Sequence, residues 1–141
     1  MLGLELGLGL GQQGGGGAFT PLTLGAACVE WWDFRTGGTG AAITTHPGQK
    51  SVLTLEQAIG GLQPVWNAGG YAVFDADDDY LQFTSPGVSA GQMWIETTFG
   101  WYRSCVGNWS AGTYRISTAD LKQLVFIDVS TITPSQIANL T

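Results

Sequence analysis

The chain has 141 residues, 44% of them hydrophobic and 11% charged, which is enough for one domain once a Gly-rich leader is set aside. A net charge of −6 with 5 Lys and Arg in total leaves no basic footprint to neutralise phosphates, so direct binding to nucleic acid is not expected. The 22 Gly and the 11% aromatic content point to a β-rich, turn-rich fold, and its charge-poor surface suits a subunit held among partners.

Residues 1–18 open with Leu2, Leu4, Leu6, Leu8 and Leu10 alternating with Gly or Glu5, then run into Gln12, Gln13 and a Gly tract. The stretch lacks a basic start and a small-residue cleavage site, so it does not read as a signal peptide. It is also about half of the ~20 apolar residues that a membrane span needs, and no membrane contact is expected. Such a composition cannot pack a core of its own. In an extended conformation the alternation puts every Leu on one face, which fits addition to a neighbour's sheet or a hydrophobic groove; the bland alternative is a leader without fixed structure. The expected domain plan is this arm over 1–18, a main portion over 19–91 and a remainder over 92–141.

Phe19 to Arg35 starts the domain, with Pro21 as entry punctuation and Cys28 to Trp32 as a strand. Trp31 and Trp32 must then point to opposite faces, and one of them is expected to meet a partner. Thr36 to Thr45 reads as a loop or hairpin, and His46-Pro47-Gly48 as a turn. Thr54-Leu55-Glu56-Gln57 has the spacing of a capping box and predicts a short helix that Gly60-Gly61 stops. Leu62 to Asn67 leads into Tyr71, Val73, Tyr80 and Phe83, β-formers on either side of the acidic run Asp75 to Asp79, which together predict a β-hairpin.

Phe74-Asp75-Ala76-Asp77-Asp78-Asp79-Tyr80-Leu81 resembles the F-D-G-x-D-D-Y-L signature of concanavalin-A-like (LamG-type) domains, with Ala76 for the usual Gly and one extra Asp. Phe19, Pro21, Leu24, Trp32 and Asp33 likewise resemble the segment that opens such domains in phage and bacterial proteins. The resemblance covers about Phe19 to Pro86. It implies a mainly β chain with a concanavalin-A-like or jelly-roll β-sandwich, incomplete if the likeness ends near Gly91, preceded by the extended Gly-rich arm.

Beyond that point Gln92 to Tyr102 is strand-like and Gly107 to Gly112 reads as a loop. Ser117 caps a predicted helix to Leu124, Val125 to Val129 is a short strand, and Thr133-Pro134-Ser135-Gln136 is a second capping box, so the tail is expected to be short and α/β.

Asp75, Asp77, Asp78 and Asp79 read first as turn residues that accept backbone N–H groups; hard oxygen ligation of Ca²⁺ is the alternative. Cys28 and Cys105 are expected to be reduced, buried thiols. Any Ser-His-Asp or Cys-His scheme would have to use His46, the only histidine, and no nucleophile motif accompanies it; a carboxylate pair among Glu30, Glu56, Glu96 and the Asp cluster cannot be read from spacing. An enzyme is therefore not expected. The expectation is a bacteriophage virion structural protein (capsid decoration, collar or head fibre, or tail-fibre attachment). It would form a homo-oligomer and join other virion proteins through its arm. The alternative is a carbohydrate-binding module that meets a host glycan through the loops around Asp75–Asp79 and Gly107–Gly112.

Overall fold

A computed structural model of the chain describes residues 20–36, 40–75 and 77–132. The five arm leucines, Phe19 and the Thr133 capping box lie outside the described residues.

Among the described residues, eleven strands form two antiparallel sheets. The larger contains β1 (Cys28–Asp33), β4 (Val65–Asn67), β5 (Tyr71–Val73), β7 (Val88–Thr97), β8 (Gly100–Arg103), β9 (Gly107–Trp109) and β11 (Leu121–Asp128). The smaller runs β10 (Gly112–Ile116), β6 (Leu81–Ser85), β3 (Thr54–Glu56) and β2 (Thr45–Pro47). Trp32, Met93, Leu124 and Phe126 from the first sheet and Leu55, Leu81, Phe83 and Ile116 from the second bury one shared core, which is the packing logic of a β-sandwich.

β11 and β7 are the central pair of the larger sheet, in continuous register from Gln123↔Glu96 to Asp128↔Gly91. β11 is buried on both faces, and its Leu124–Ile127 segment is accordingly an unbroken apolar run. Leu124 and Phe126 enter the core between the sheets, while Val125 and Ile127 join a second cluster on the outer face with Leu24, Ala27, Cys28, Trp31 and Trp94. A 3-10 segment, Pro21–Ala27, and a shorter one, Val129–Thr131, lie over that outer face.

Several local expectations give way to this topology. The segment from Ser117 to Leu124 is not a helix: a β-bulge between Leu121 and Gln123 lets Leu121 and Leu124 share one face of a strand at a spacing of three, which imitates helical periodicity. The tail is thus all β through Asp128. Gly107 to Gly112 supplies β9 and the start of β10 rather than a loop, so the second half completes both sheets. The Thr54 capping-box spacing belongs to β3, where Leu55 is buried and the strand pairs with β2 and β6. His46 and Pro47 lie in β2, so the reversal begins at Gly48.

The Tyr71–Phe83 hairpin is also redrawn. β5 belongs to the larger sheet and β6 to the smaller, so the acidic run crosses between sheets. The true hairpin is β4–β5, turned by Asn67, whose Oδ1 accepts the Gly69 N–H at 2.7 Å, and by Gly70 at φ +90°. The boundary expected near residue 91 falls inside β7.

Phe83 meets Trp32 at 5.1 Å, Phe126 at 5.6 Å and Tyr114 at 5.8 Å, all between ring centroids. Phe83→Ala is expected to cost about 3–5 kcal/mol in urea unfolding, against less than about 0.5 kcal/mol for Thr84→Ala on the exposed side of the same strand. Equal losses for the two variants would contradict this core.

Candidate functional site

Glu30 is a fully buried carboxylate on β1. Its Oε1 accepts the backbone N–H groups of Trp31 at 2.9 Å and Lys50 at 2.7 Å, and its Oε2 those of Val52 and Leu53 at 2.8 Å each. The loop joining β2 and β3 is therefore wrapped around one negative charge. Charge-assisted bonds to backbone donors offset the cost of taking that charge out of water. The fit is tight: a Cβ at Gly48 would lie 1.9 Å from Glu30 Cδ. The Lys50 ammonium continues inward and donates to the carbonyls of Cys28 at 2.5 Å and Gly25 at 3.2 Å. Burial pushes the Cys28 thiol up to about 12, which leaves it unreactive at neutral pH. Cys105 is free as well, but exposed, contrary to the expectation of two buried thiols.

His46 is placed by β2 against β1. Its Nε2 lies 2.8 Å from the Asp33 carbonyl oxygen, a bond it donates when Nε2 carries the proton, and its ring packs on Phe34 at 4.2 Å and Trp66 at 5.2 Å. Burial lowers its pKa, and the Asp33 contacts only partly oppose that. Asp33 is itself gripped by Arg35, Nε to Oδ1 at 2.8 Å and Nη2 to Oδ2 at 3.0 Å. Burial raises the Asp33 carboxyl, but the hydrogen bonds from Arg35 outweigh it and hold it below the usual range. On the outer face, Glu96 accepts from Gln123 Nε2 at 2.8 Å, and Gln123 Oε1 accepts from Trp31 Nε1 at 2.8 Å. Glu30, Asp33, His46 and Glu96 are thus each engaged in contacts that hold neighbouring segments together.

The acidic run is organised by Asp75, whose Oδ1 accepts the backbone N–H groups of Asp77 at 3.1 Å, Asp78 at 3.1 Å and Asp79 at 3.2 Å. Asp79 Oδ2 returns the favour by accepting the Asp75 N–H at 2.9 Å. Backbone donation, first from Asp78, holds the Asp75 carboxyl below its ordinary range. The carboxylates of Asp75, Asp78 and Asp79 gather within 4.8 Å of one another, without that of Asp77. The Asp75 and Asp79 oxygens carry the turn chemistry expected of Asp; Ca²⁺ would have to compete with those N–H groups for Asp75 Oδ1.

The structure separates the two loops assigned to a glycan surface. The acidic run enters β6 at Leu81, opposite Ile116, whereas Gly112 lies opposite Ser85 at the other end of the pair. Four strand steps of about 3.3 Å put them roughly 13 Å apart. Trp31 and Trp32 do point to opposite faces, but both are covered by the chain itself, at 7% and 0% exposure. Neither ring is left at the surface for a partner.

The surface that sequence reading missed is the β8 edge. Phe99 in the β7–β8 turn is 74% exposed, Tyr102 on β8 53%, and Val106 in the β8–β9 connection 52%, with exposed Cys105 beside it. Among the described residues, Trp101 Nε1 on the same strand is buried without a hydrogen-bond partner. Strand-forming residues look alike in sequence whether a strand is central or at an edge, so only the topology distinguishes these positions. In comparisons with known proteins, the chain matches no family model, no curated sequence and no solved structure.

Glu30→Gln replaces one acceptor oxygen by a donor facing N–H groups, and is expected to cost about 3–5 kcal/mol in chemical denaturation. A loss below 1 kcal/mol would show that the loop does not depend on the charge. For His46, the folded ring binds its proton less readily than the ordinary 6.5, so as pH falls the unfolded chain protonates first. The stabilisation is complete above about 6.5 and declines as pH drops from there through the folded-state pKa. The stability gap between wild type and His46→Gln should therefore narrow between pH 7.5 and 5; a constant gap would contradict the assignment.

Proposed function

We propose that the chain is a structural subunit that acts by associating with copies of itself and with other proteins of a particle, tied to them through residues 1–18. The observation that carries the reading is the β8 edge: among the described residues the strand pairs on one side only, with Tyr102 exposed on it and Phe99 and Val106 exposed in the connections that flank it, on a chain with only 11% charged residues. Edge strands of freestanding proteins are ordinarily blunted by charge, Pro or a covering segment, and exposed apolar groups along one favour association. The internal use of Glu30, His46 and the Asp75 turn supports a scaffold in preference to a reactive site. The sequence resemblance makes a bacteriophage virion the natural setting and a concanavalin-A-like sandwich the natural fold. Within a virion, the proposed places for it are capsid decoration, a collar or head fibre, or tail-fibre attachment.

Light scattering on the full chain and on a chain lacking residues 1–18 tests the reading. The full chain should give a multiple of its 14.9 kDa mass, while the truncated chain should unfold cooperatively and run as a monomer. A full chain that stays monomeric at high micromolar concentration and binds glycans on an array would overturn it.

A further inference from the structure

The association reading leaves open where the arm lands, and the edge strands narrow the choice. β4, one edge of the larger sheet, is already covered: Gly40 N–H donates to Trp66 O at 2.8 Å, Trp66 N–H to Ala41 O at 2.9 Å and Ile43 N–H to Pro64 O at 2.8 Å. In the smaller sheet β2 has only three residues, one of them Pro47, and β10 carries Arg115 over the Tyr80 ring. Among the described residues β8 pairs on one side only, with Tyr102 exposed on it and Phe99 and Val106 exposed on either side of it.

We infer that residues 2–10 of one copy add as a strand to the β8 edge of a second copy. The inference rests on the proposed association through residues 1–18 and names its docking site.

The backbone parity of β8 fits. Ser104 N–H donates to Met93 O at 2.9 Å, and the pairs Tyr102↔Ile95 and Gly100↔Thr97 follow at steps of two. Antiparallel alternation then turns the N–H and C=O groups of Trp101 and Arg103 away from β7 to the open side. The side-chain parity fits too. Tyr102 stands opposite Ile95, which packs on the core between the sheets, whereas Trp101 and Arg103 stand opposite Glu96 and Trp94 on the outer face. A strand with Leu2 to Leu10 on Tyr102's side extends the apolar inner face. Its odd positions then pass over the outer face, where Gly3, Gly7 and Gly9 clear the Trp101 ring.

Glu5, the single charged residue of the arm, falls on the same face as the exposed Arg103. The opposite placement would set that carboxylate beside Tyr102. The added strand also brings carbonyl acceptors to the strand that carries the unpaired Trp101 indole N–H. Each copy has one such arm and one such edge, so exchange in a closed ring satisfies them all. Residues 11–19 can span ~30 Å when extended, so the test must separate an arm on its own edge from one on a second copy's edge.

Cys105, exposed beside the edge, provides the probe. Chains carrying Leu4→Cys, Leu6→Cys or Leu8→Cys together with Cys105→Ser are mixed with the wild-type chain and treated with a short bismaleimide. A covalent dimer at one or two of the three positions is the expected result. If no dimer forms in the mixtures but an internal cross-link appears when both cysteines share a chain, the arm occupies its own edge and the inference is overturned. Arg103→Pro, which removes one outward N–H, should weaken association at least tenfold with unfolding unchanged, and Arg103→Gln much less. If Arg103→Pro associates like wild type while deletion of 1–18 abolishes association, the arm binds elsewhere; if deletion has no effect, the association reading itself fails.

Discussion

One buried charge sets the geometry of the end of the sandwich where β1 meets the smaller sheet. Glu30 offers two oxygens to four backbone N–H groups, three of them from the loop that joins β2 to β3. Without the carboxylate those donors would face an apolar interior unpaired, a larger loss than the net worth of any one bond. The constraint propagates: Gly48 has no room for a side chain, Lys50 is drawn down onto the Cys28 and Gly25 carbonyls, and β2 carries His46 onto the Asp33 carbonyl and between Phe34 and Trp66. The two sheets are joined there by polar contacts as well as by the shared core. A buried ion held by backbone donors also disfavours other loop conformations, because few of them can supply the same set of N–H groups.

Burial on both faces explains why the larger sheet dominates. β11 and β7 meet the inter-sheet core on one side and, on the other, a cluster roofed by the segments that adjoin Thr20 and Ile132. The segments leading toward residues 19 and 133 therefore both leave from the outer face. A continuous apolar run such as Leu124–Ile127 within β11 is tolerated in the middle of a sheet because nothing of it reaches an edge. β8 is the contrast: a short strand with one side unpaired among the described residues, with Tyr102 exposed on it and Phe99 and Val106 exposed in the connections at its two ends.

What could be read from the sequence follows from how local each signal is. The β character, the strand from Cys28 and the strand at Val125 were visible because aromatic and β-branched runs report strands directly. The turn role of Asp75 was visible because an Asp side chain reaches its own backbone a few residues on. The pairings were not visible. The acidic run looked like a hairpin because a chain crossing between sheets and a chain turning back within one use the same turn residues. Leu121 and Leu124 looked helical because a bulge gives a strand a spacing of three. Thr54 to Gln57 had the letters of a capping box, but Leu55 and the cross-strand partners of β3 decided the outcome. Glu30 gave no local sign of burial, since its four donors include three from residues 20 to 23 positions away.

The arm and the β8 edge are the two halves of one proposed contact, and backbone hydrogen exchange reads that contact without altering a side chain. The amides of Trp101 and Arg103 should exchange slowly in the full chain at concentrations where it associates, and quickly both on dilution and after removal of residues 1–18. Tyr102, bonded to β7, should stay slow throughout. Fast exchange at Trp101 and Arg103 in the associated full chain would contradict strand addition at this edge.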